Sequence, residues 1–152
     1  MTDFVKMREL IRQEERYRWA VEKQMAKATK ITSSLSKSGR TGSAKVGSQV
    51  EEGAVELAEL KLQYSEIKEE LDAMREELKA SITKLRAPRY RLDKTCLRMR
   101  YIQGIKVRKI AEALSYSEDY IFQKMKQAET MILIIQRGQE LRKTSQVTSE
   151  KL

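Results

Sequence analysis

The sequence predicts an all-α protein in which an N-terminal helix and a long coiled-coil-like helix precede a three-helix helix-turn-helix domain. Apolar residues recur at three- and four-residue spacing over most of the 152 residues, which is typical of helices with one buried face. The chain has one Pro and six Gly, so few residues interrupt helices. Charged residues make up 35% and aromatic residues 6%, a composition that favours long exposed helices over a thick globular core.

Residues 1–31 are predicted to form a basic amphipathic helix. Its apolar positions begin with Phe4, Met7 and Leu10, and Asp3 is placed to cap the first turn. Trp19 lies off this apolar stripe, so it is either an exposed anchor or a filler against another segment. Residues 32–49 are rich in Ser, Thr and Gly, and their composition predicts a flexible linker. The alternative is a basic arm that follows phosphates through Lys37, Arg40 and Lys45.

Residues 50–87 are predicted to form a heptad helix. Eight apolar residues, interrupted only at Ser81, follow the heptad spacing: Leu57, Leu60, Tyr64, Ile67, Leu71, Met74, Leu78 and Leu85. Their seam must be covered by the first helix in a hairpin, by a second copy of the chain in a homodimer through residues 50–85, or by both in a four-helix arrangement. Pro88 ends the helix and marks the predicted domain boundary.

Residues 88–137 have the spacing of a helix-turn-helix domain, and residues 138–152 are predicted to be a flexible tail. A scaffold helix ends at Gly104, a second helix covers residues 106–114, and Ser117 is placed to cap a third helix that begins near residue 118. The predicted motif core consists of Leu97, Tyr101, Ile110, Ala111, Leu114, Tyr116, Ile121 and Ala128. Cys96 is alone in the chain and lies on the apolar stripe, so it is predicted to be a core residue.

The charge is concentrated beside this motif. Residues 86–109 hold nine basic residues and one acidic residue, against a net charge of +9 for the whole chain. Such a block indicates a polyanionic partner, and we expect double-stranded DNA. The candidate phosphate contacts are Arg89, Arg91, Lys94, Arg98, Lys106, Arg108 and Lys109. The candidate base-reading residues at the start of the third helix are Ser117, Glu118, Asp119, Phe122, Gln123, Lys126 and Gln127.

These residues also carry a family resemblance. Leu97, Arg100-Tyr101 and Gly104, followed by Ile110-Ala111, Leu114, Tyr116-Ser117 and Ala128, resemble region 4 of sigma factors. The order of a basic helix, a linker containing Lys45-Val46-Gly47, an acidic helix and this module is similar to that of the ArpU/RinA-like late transcription regulators of phages. The resemblance implies control of late genes in a phage or prophage, through promoter DNA and host RNA polymerase. The chain departs from that family with Ser115 in place of a turn Gly, Lys124 in place of an apolar residue, and the acidic pair Glu118-Asp119.

Composition excludes several other classes. The chain has no His, no Cys pair and no glycine-rich phosphate loop, so we expect neither an enzyme nor a metal or cofactor site. The longest apolar run, Met131 to Ile135, is too short to cross a membrane, and the charged N-terminus is unlike a signal peptide, so the expected location is the cytoplasm of a bacterial host.

Two alternatives to a DNA-binding regulator stay open. The chain could be a helical adaptor that docks on RNA polymerase or a phage assembly factor through the heptad seam and Glu118-Asp119, without reading bases. A packaging protein of the small-terminase kind is disfavoured, because such proteins usually place the DNA-reading helices before the oligomerising ones.

Overall fold

The computed structural model describes the backbone of residues 1–38 and 44–150 and the side chains of residues 1–29 and 51–146. All regular elements within these ranges are helical, so the predicted all-α class is confirmed. The five α-helices are α1 (Phe4–Ser38), α2 (Ala44–Ile82), α3 (Arg91–Leu97), α4 (Val107–Leu114) and α5 (Glu118–Glu150). A 3₁₀ turn (Pro88–Tyr90) precedes α3, and a π-helical turn (Arg98–Ile102) continues it.

Helices α1 and α5 extend beyond their predicted ends, and α2 both begins and ends earlier than predicted. Helix α1 continues to Ser38 and α2 begins at Ala44, so helical backbone occupies most of the segment predicted as a linker, and residues 39–43 lie outside the described residues. Helix α2 ends at Ile82 rather than at residue 87. Helix α5 runs on to Glu150 through the predicted tail, of which residues 151–152 also lie outside the described part. Ser, Thr and Gly lower helix propensity by less than about 1 kcal/mol each, which does not suffice to end a helix.

The compact units also divide elsewhere than at Pro88. Residues 10–70 form one unit, and residues 1–9 together with residues 71–152 form the other. The start of α1 and the last part of α2 therefore belong to the same unit as the helix-turn-helix segment. This division arises from contacts between residues that are far apart in sequence, and such contacts cannot be predicted from the composition along the chain.

In the unit of residues 10–70, α1 and α2 lie side by side. Gln24 Nε2 donates a hydrogen bond of 3.2 Å to Glu56 Oε2. Gln24 lies about as far before the end of α1 as Glu56 lies after the start of α2, so the contact fits two antiparallel helices. The hairpin alternative therefore accounts for this part of the chain, and the homodimer stays a prediction. Leu57, Leu60 and Ile67 of the heptad seam are half-buried.

In the unit of residues 1–9 and 71–152, two groups of side chains form the core. Cys96, Ile110, Ala111, Ile121 and Met125 form one cluster, in which α3 and α4 pack against the start of α5. A second group of fully buried residues comes from α1, α2, α3 and α5, namely Met7, Leu71, Leu78, Ile82, Leu97 and Ile132. Helix α5 thus supplies one continuous apolar face to both groups.

A buried polar cluster explains the interruption of the heptad pattern at Ser81. The side-chain amide of Gln136 donates to Ser81 Oγ at 2.8 Å and to Thr2 Oγ1 at 2.7 Å. Its carbonyl oxygen accepts the Thr2 backbone N–H at 2.7 Å. Because buried polar groups need partners, Ser81 at this position satisfies Gln136 where a Leu would leave the amide without one acceptor.

Candidate nucleic-acid interface

The turn between α4 and α5 is built from three consecutive residues, and its geometry fixes where α5 begins. Ser115 adopts the left-handed conformation with φ of 61°, while Tyr116 N–H donates to Ala111 O at 3.0 Å and Ser115 N–H to Glu112 O at 3.4 Å. These are the two hydrogen bonds of a Schellman C-cap, in which Gly usually occupies the position of Ser115. Ser117 Oγ then accepts the Tyr120 N–H at 3.2 Å, which confirms the predicted N-cap.

The outer face of α5 is open along its first turns. Ile121, Met125 and Ala128 are buried, and the helical period places the remaining positions on the opposite side. All seven candidate base-reading residues are exposed: Ser117, Glu118, Asp119, Phe122, Gln123, Lys126 and Gln127. Asp119, Phe122, Gln123 and Lys126 form a continuous stripe at spacings of three and four residues.

The candidate phosphate contacts are distributed over the segments between the 3₁₀ turn and the end of α4. Arg91, Lys94 and Arg98 follow one another at helical spacing along α3 and the start of the π turn, on the side away from the buried Cys96. Six of the seven basic candidates are exposed and Lys94 is half-buried, so all present their side chains to solvent at least in part; they are Arg89, Arg91, Lys94, Arg98, Lys106, Arg108 and Lys109.

Arg89 and Arg108 have local partners that a phosphate can replace. The Arg89 guanidinium lies 4.8 Å from the centre of the Tyr90 ring and donates to its hydroxyl at 2.8 Å. Arg108 Nε lies 3.7 Å from Glu112 Oε1, with both side chains largely in solvent. Exposed pairs of this kind contribute under about 1 kcal/mol, so either cation can exchange its partner for a phosphate at small cost.

Of the eight residues predicted as the motif core, seven are buried or half-buried, and Tyr116 is the exception. Leu97, Tyr101, Ile110, Ala111, Ile121 and Ala128 are buried and Leu114 is half-buried. Tyr116 is 45% exposed and stacks against Tyr120, with the ring centres 4.8 Å apart. The Schellman cap needs only the backbone N–H of Tyr116, so its side chain points out of the turn. The prediction of Tyr116 as a core residue was therefore wrong.

The side chain of Tyr101, in the π turn, contacts residues of both α1 and α5. Its ring packs on Phe4 with 5.1 Å between ring centres, its hydroxyl accepts from Arg8 Nη1 at 2.9 Å, and the same hydroxyl donates to Glu129 Oε1. Arg8 Nη1 also lies 3.2 Å from Glu129 Oε1. Burial and the hydrogen bond to the Glu129 carboxylate raise the pKa of Tyr101 well above its ordinary value.

Hydrogen bonds also fix the backbone around Tyr101. The π turn pairs Gln103 N–H with Arg98 O at 2.9 Å, and Gly104, with φ of 71°, lets Ile105 N–H reach Met99 O at 2.9 Å. The predicted helix stop at Gly104 is thus confirmed.

The Tyr101 carbonyl accepts a hydrogen bond of 2.7 Å from Arg75 Nε of α2. Arg75 is therefore a supporting residue of the site, and no local sequence pattern identified it.

A buried carboxylate links α3 to α5. Asp93 is only 5% exposed, and Lys124 Nζ lies 3.9 Å from its Oδ1, an oxygen that accepts no hydrogen bond from the described residues. Burial, and next the nearby Asp93 charge, raise the pKa of the Cys96 thiol. Lys124 is therefore the charge partner of Asp93, which is the single acidic residue among the basic residues of 86–109.

Comparisons of the chain with models of protein families, with curated proteins and with solved structures find no match. Within the described residues, no helix combines the length and apolar character needed to span a membrane. The same residues contain no group of acidic or Cys side chains that could hold a metal ion.

Proposed function

We propose that this protein is a DNA-binding transcription regulator that inserts the start of α5 into the major groove of double-stranded DNA. The observation that carries the proposal is the exposed stripe of Asp119, Phe122, Gln123 and Lys126 on a helix whose first turn is fixed by Ser115 and Ser117. The major groove of DNA is wide enough for one α-helix, and side chains on the outer face of that helix then reach the base edges.

Each side chain of the stripe matches a chemical feature of the groove. Gln123 can pair with adenine through two hydrogen bonds, Lys126 can donate to guanine, and Phe122 can contact a thymine methyl group. A carboxylate at Glu118 or Asp119 can accept from the cytosine amino group, and the positive end of the helix stabilises its charge.

The basic residues of α3 and α4 supply affinity in this proposal. Residues 86–109 carry a net charge of +8, and the exposed Arg91, Arg98, Arg108 and Lys109 are available to phosphates. Such contacts set the register of a protein on DNA without reading its sequence. The resemblance to sigma-factor region 4 and to the ArpU/RinA-like regulators extends the proposal to late genes of a phage or prophage in a bacterial cytoplasm, with host RNA polymerase as a second partner.

A salt titration tests this proposal directly. Binding of the protein to a labelled duplex is followed by fluorescence anisotropy at increasing salt, and about five phosphate contacts predict a log–log slope of about −4 to −5. Lys109→Ala should make the slope shallower by about 1, whereas Lys61→Ala, which removes an exposed cation on α2, should leave it unchanged. Absence of salt-dependent duplex binding would reject the proposal.

A second candidate function, that of an adaptor, is favoured by an aromatic and acidic surface at the α4–α5 turn. Tyr116, Tyr120 and Phe122 are 45%, 36% and 49% exposed, and the exposed Glu118 and Asp119 lie between Tyr116 and Tyr120 in the chain. Exposed aromatic residues are enriched at protein–protein contacts, and the two carboxylates would repel phosphates at short range.

A duplex-binding assay run beside a polymerase-binding assay separates the two candidates, since both of them can contact RNA polymerase. An adaptor retains purified polymerase after nuclease treatment, loses it when Tyr116→Ala and Asp119→Asn are combined, and shows no salt-dependent binding to a duplex. A DNA-binding regulator binds the duplex without polymerase, and its duplex affinity does not depend on Tyr116.

A further inference from the structure

An exposed basic stripe with a Trp at its centre lies on α1, separate from the helix-turn-helix. Arg12, Arg16, Trp19, Lys23 and Lys27 follow one another at spacings of four, three, four and four residues, so they share one face of the helix. All five side chains are exposed. The sixteen residues from Arg12 to Lys27 span roughly 22 Å at the α-helical rise, so the stripe is a continuous cationic track with one aromatic ring inside it.

Trp19 does not serve the packing of this face. Its side chain is 62% exposed, although Trp is highly buried on average in folded proteins. Lys23 Nζ lies 4.8 Å from the ring centre, a cation–π contact that steadies the ring and keeps a positive charge beside it. A shallow groove of about 510 Å³ runs along the same helix, lined by Arg12, Glu15, Arg16, Trp19 and Ala20.

The chemistry of this stripe matches a polyanion that also offers flat apolar rings. Cations at one-turn intervals follow a phosphate backbone, and an exposed aromatic ring stacks on a base that is not paired. A duplex keeps its bases stacked on each other, so it offers Trp19 no ring face. A membrane surface requires a broad apolar helix face, whereas here a single large apolar side chain lies among four cations.

We infer that the stripe of Arg12, Arg16, Trp19, Lys23 and Lys27 is a binding site for single-stranded nucleic acid, with Trp19 stacking on a base and the cations contacting the flanking phosphates. The site is independent of the proposed duplex contact, since it uses α1 alone and none of the residues of α3, α4 or α5.

Trp19 is the sole Trp of the chain, so its fluorescence reports directly on the stripe. We expect a short oligothymidylate to quench the Trp fluorescence of the full-length protein in a saturable way. A duplex of equal length should quench less, and inorganic polyphosphate should leave the emission unquenched because it has no bases. Equal effects of oligothymidylate and polyphosphate would show that the stripe binds charge alone and would overturn the stacking contact.

Variants then assign the binding energy to residues. By anisotropy of a labelled oligothymidylate, Trp19→Ala should weaken binding about tenfold, and Trp19→Phe should retain most of it because a ring remains. Arg16→Ala should weaken binding and make the salt slope shallower by about 0.7, the value for one phosphate contact of a single strand. Lys68→Ala, at an exposed cation of α2, is the matched control and should change nothing.

Two further outcomes separate this inference from its rivals. Lys109→Ala should weaken duplex binding and leave the Trp19 signal with oligothymidylate unchanged, so failure of one site does not imply failure of the other. Binding of anionic phospholipid vesicles that changes the Trp19 emission, with no response to oligothymidylate, would assign the stripe to a membrane surface and overturn the proposal.

Discussion

The hydroxyl of Tyr101 donates a hydrogen bond to the carboxylate of Glu129, which joins the end of the scaffold segment to the middle of α5. Arg8 donates to the same hydroxyl and lies beside the same carboxylate, so one phenol connects the start of α1, the π turn and the proposed recognition helix. The orientation of α5 therefore depends on contacts between distant residues. Arg8 is 93 positions from Tyr101 along the chain, and Tyr101 is 28 positions from Glu129.

Replacing Tyr101 with Phe should destabilise the protein by about 1.5–3 kcal/mol, because the half-buried Glu129 carboxylate and Arg8 guanidinium lose a shared partner. Urea unfolding followed by circular dichroism measures the loss. Thr95→Ala is a suitable control, since it removes a hydroxyl that bonds only within exposed helix backbone. Equal stability of Tyr101→Phe and the unaltered protein would show that the hydroxyl contributes nothing.

The same residue predicts a loss of stability at high pH. The pKa of Tyr101 is raised in the folded state, so folding favours its protonated form. The resulting stabilisation is complete below the ordinary Tyr pKa of 10.0 and is lost as the pH rises from that value towards the folded pKa. The free energy of unfolding should fall above about pH 10 more steeply in the unaltered protein than in Tyr101→Phe. Parallel pH curves for the two proteins would contradict the prediction.

Ser115→Gly should stabilise the protein, because Ser115 is held at a positive φ that Gly adopts without strain. The left-handed conformation costs a non-Gly residue about 1 kcal/mol. Gly avoids this cost but loses more conformational entropy on folding, so we expect the free energy of unfolding to increase by up to about 1 kcal/mol. Ser117→Ala in the same turn should act oppositely and cost about 1 kcal/mol through loss of the N-cap. Thermal unfolding distinguishes the two signs.

The contact between Asp93 and Lys124 should show energetic coupling. Lys124→Leu alone leaves a buried carboxylate without its charge partner and should cost about 1–3 kcal/mol, less than a fully buried pair because the Lys side chain is partly exposed. Lys124→Leu combined with Asp93→Asn should recover much of the loss. A double-mutant cycle measured by urea unfolding gives the interaction, and strict additivity would mean that the two charges do not interact.

Base reading and phosphate contact predict different effects on DNA specificity. Gln123→Ala should change the preference at one base pair by about 1–3 kcal/mol and leave the salt slope unchanged. Lys109→Ala should weaken binding to all duplexes alike. Selection of bound duplexes from a random pool, followed by sequencing, measures the preference for each variant. Identical selected sequences for Gln123→Ala and the unaltered protein would remove Gln123 from base reading.

The fragment 88–137, which corresponds to the helix-turn-helix domain predicted from sequence, should not fold alone. It lacks Phe4, Arg8 and Arg75, which pack on or hydrogen-bond to Tyr101, and it lacks buried α2 residues such as Leu78. Removing a buried aromatic residue alone costs about 3–5 kcal/mol, a large share of the stability of a small domain. Circular dichroism of the fragment should show much less helix than the same residues have in the full chain, and a cooperative melt of the fragment would contradict this.

Short-range signals predicted much of the candidate site. The caps at Asp3 and Ser117 and the helix stop at Gly104 were read from residue type, because a cap or stop depends on neighbours within one turn. The exposed outer face of α5 followed from helical periodicity, which sets the direction of each side chain once the buried residues are known.

Side-chain direction at the turn could not be predicted in this way. Tyr116 has the hydrophobic character of a core residue, yet its position after the left-handed Ser115 turns its ring towards Tyr120 and solvent. The residue type alone does not predict the backbone geometry that directs the ring.

The amino-acid pattern was sufficient to establish the helical class, the buried faces and the concentration of positive charge beside the third helix of the motif, because all of these depend on composition and on spacing within a few residues. The partners of Tyr101, Gln136 and Asp93, the extent of the helices and the inclusion of residues 1–9 in the helix-turn-helix unit came from the folded chain. These features depend on contacts between distant segments, and a contact of that kind exists only when both segments have been brought together in space.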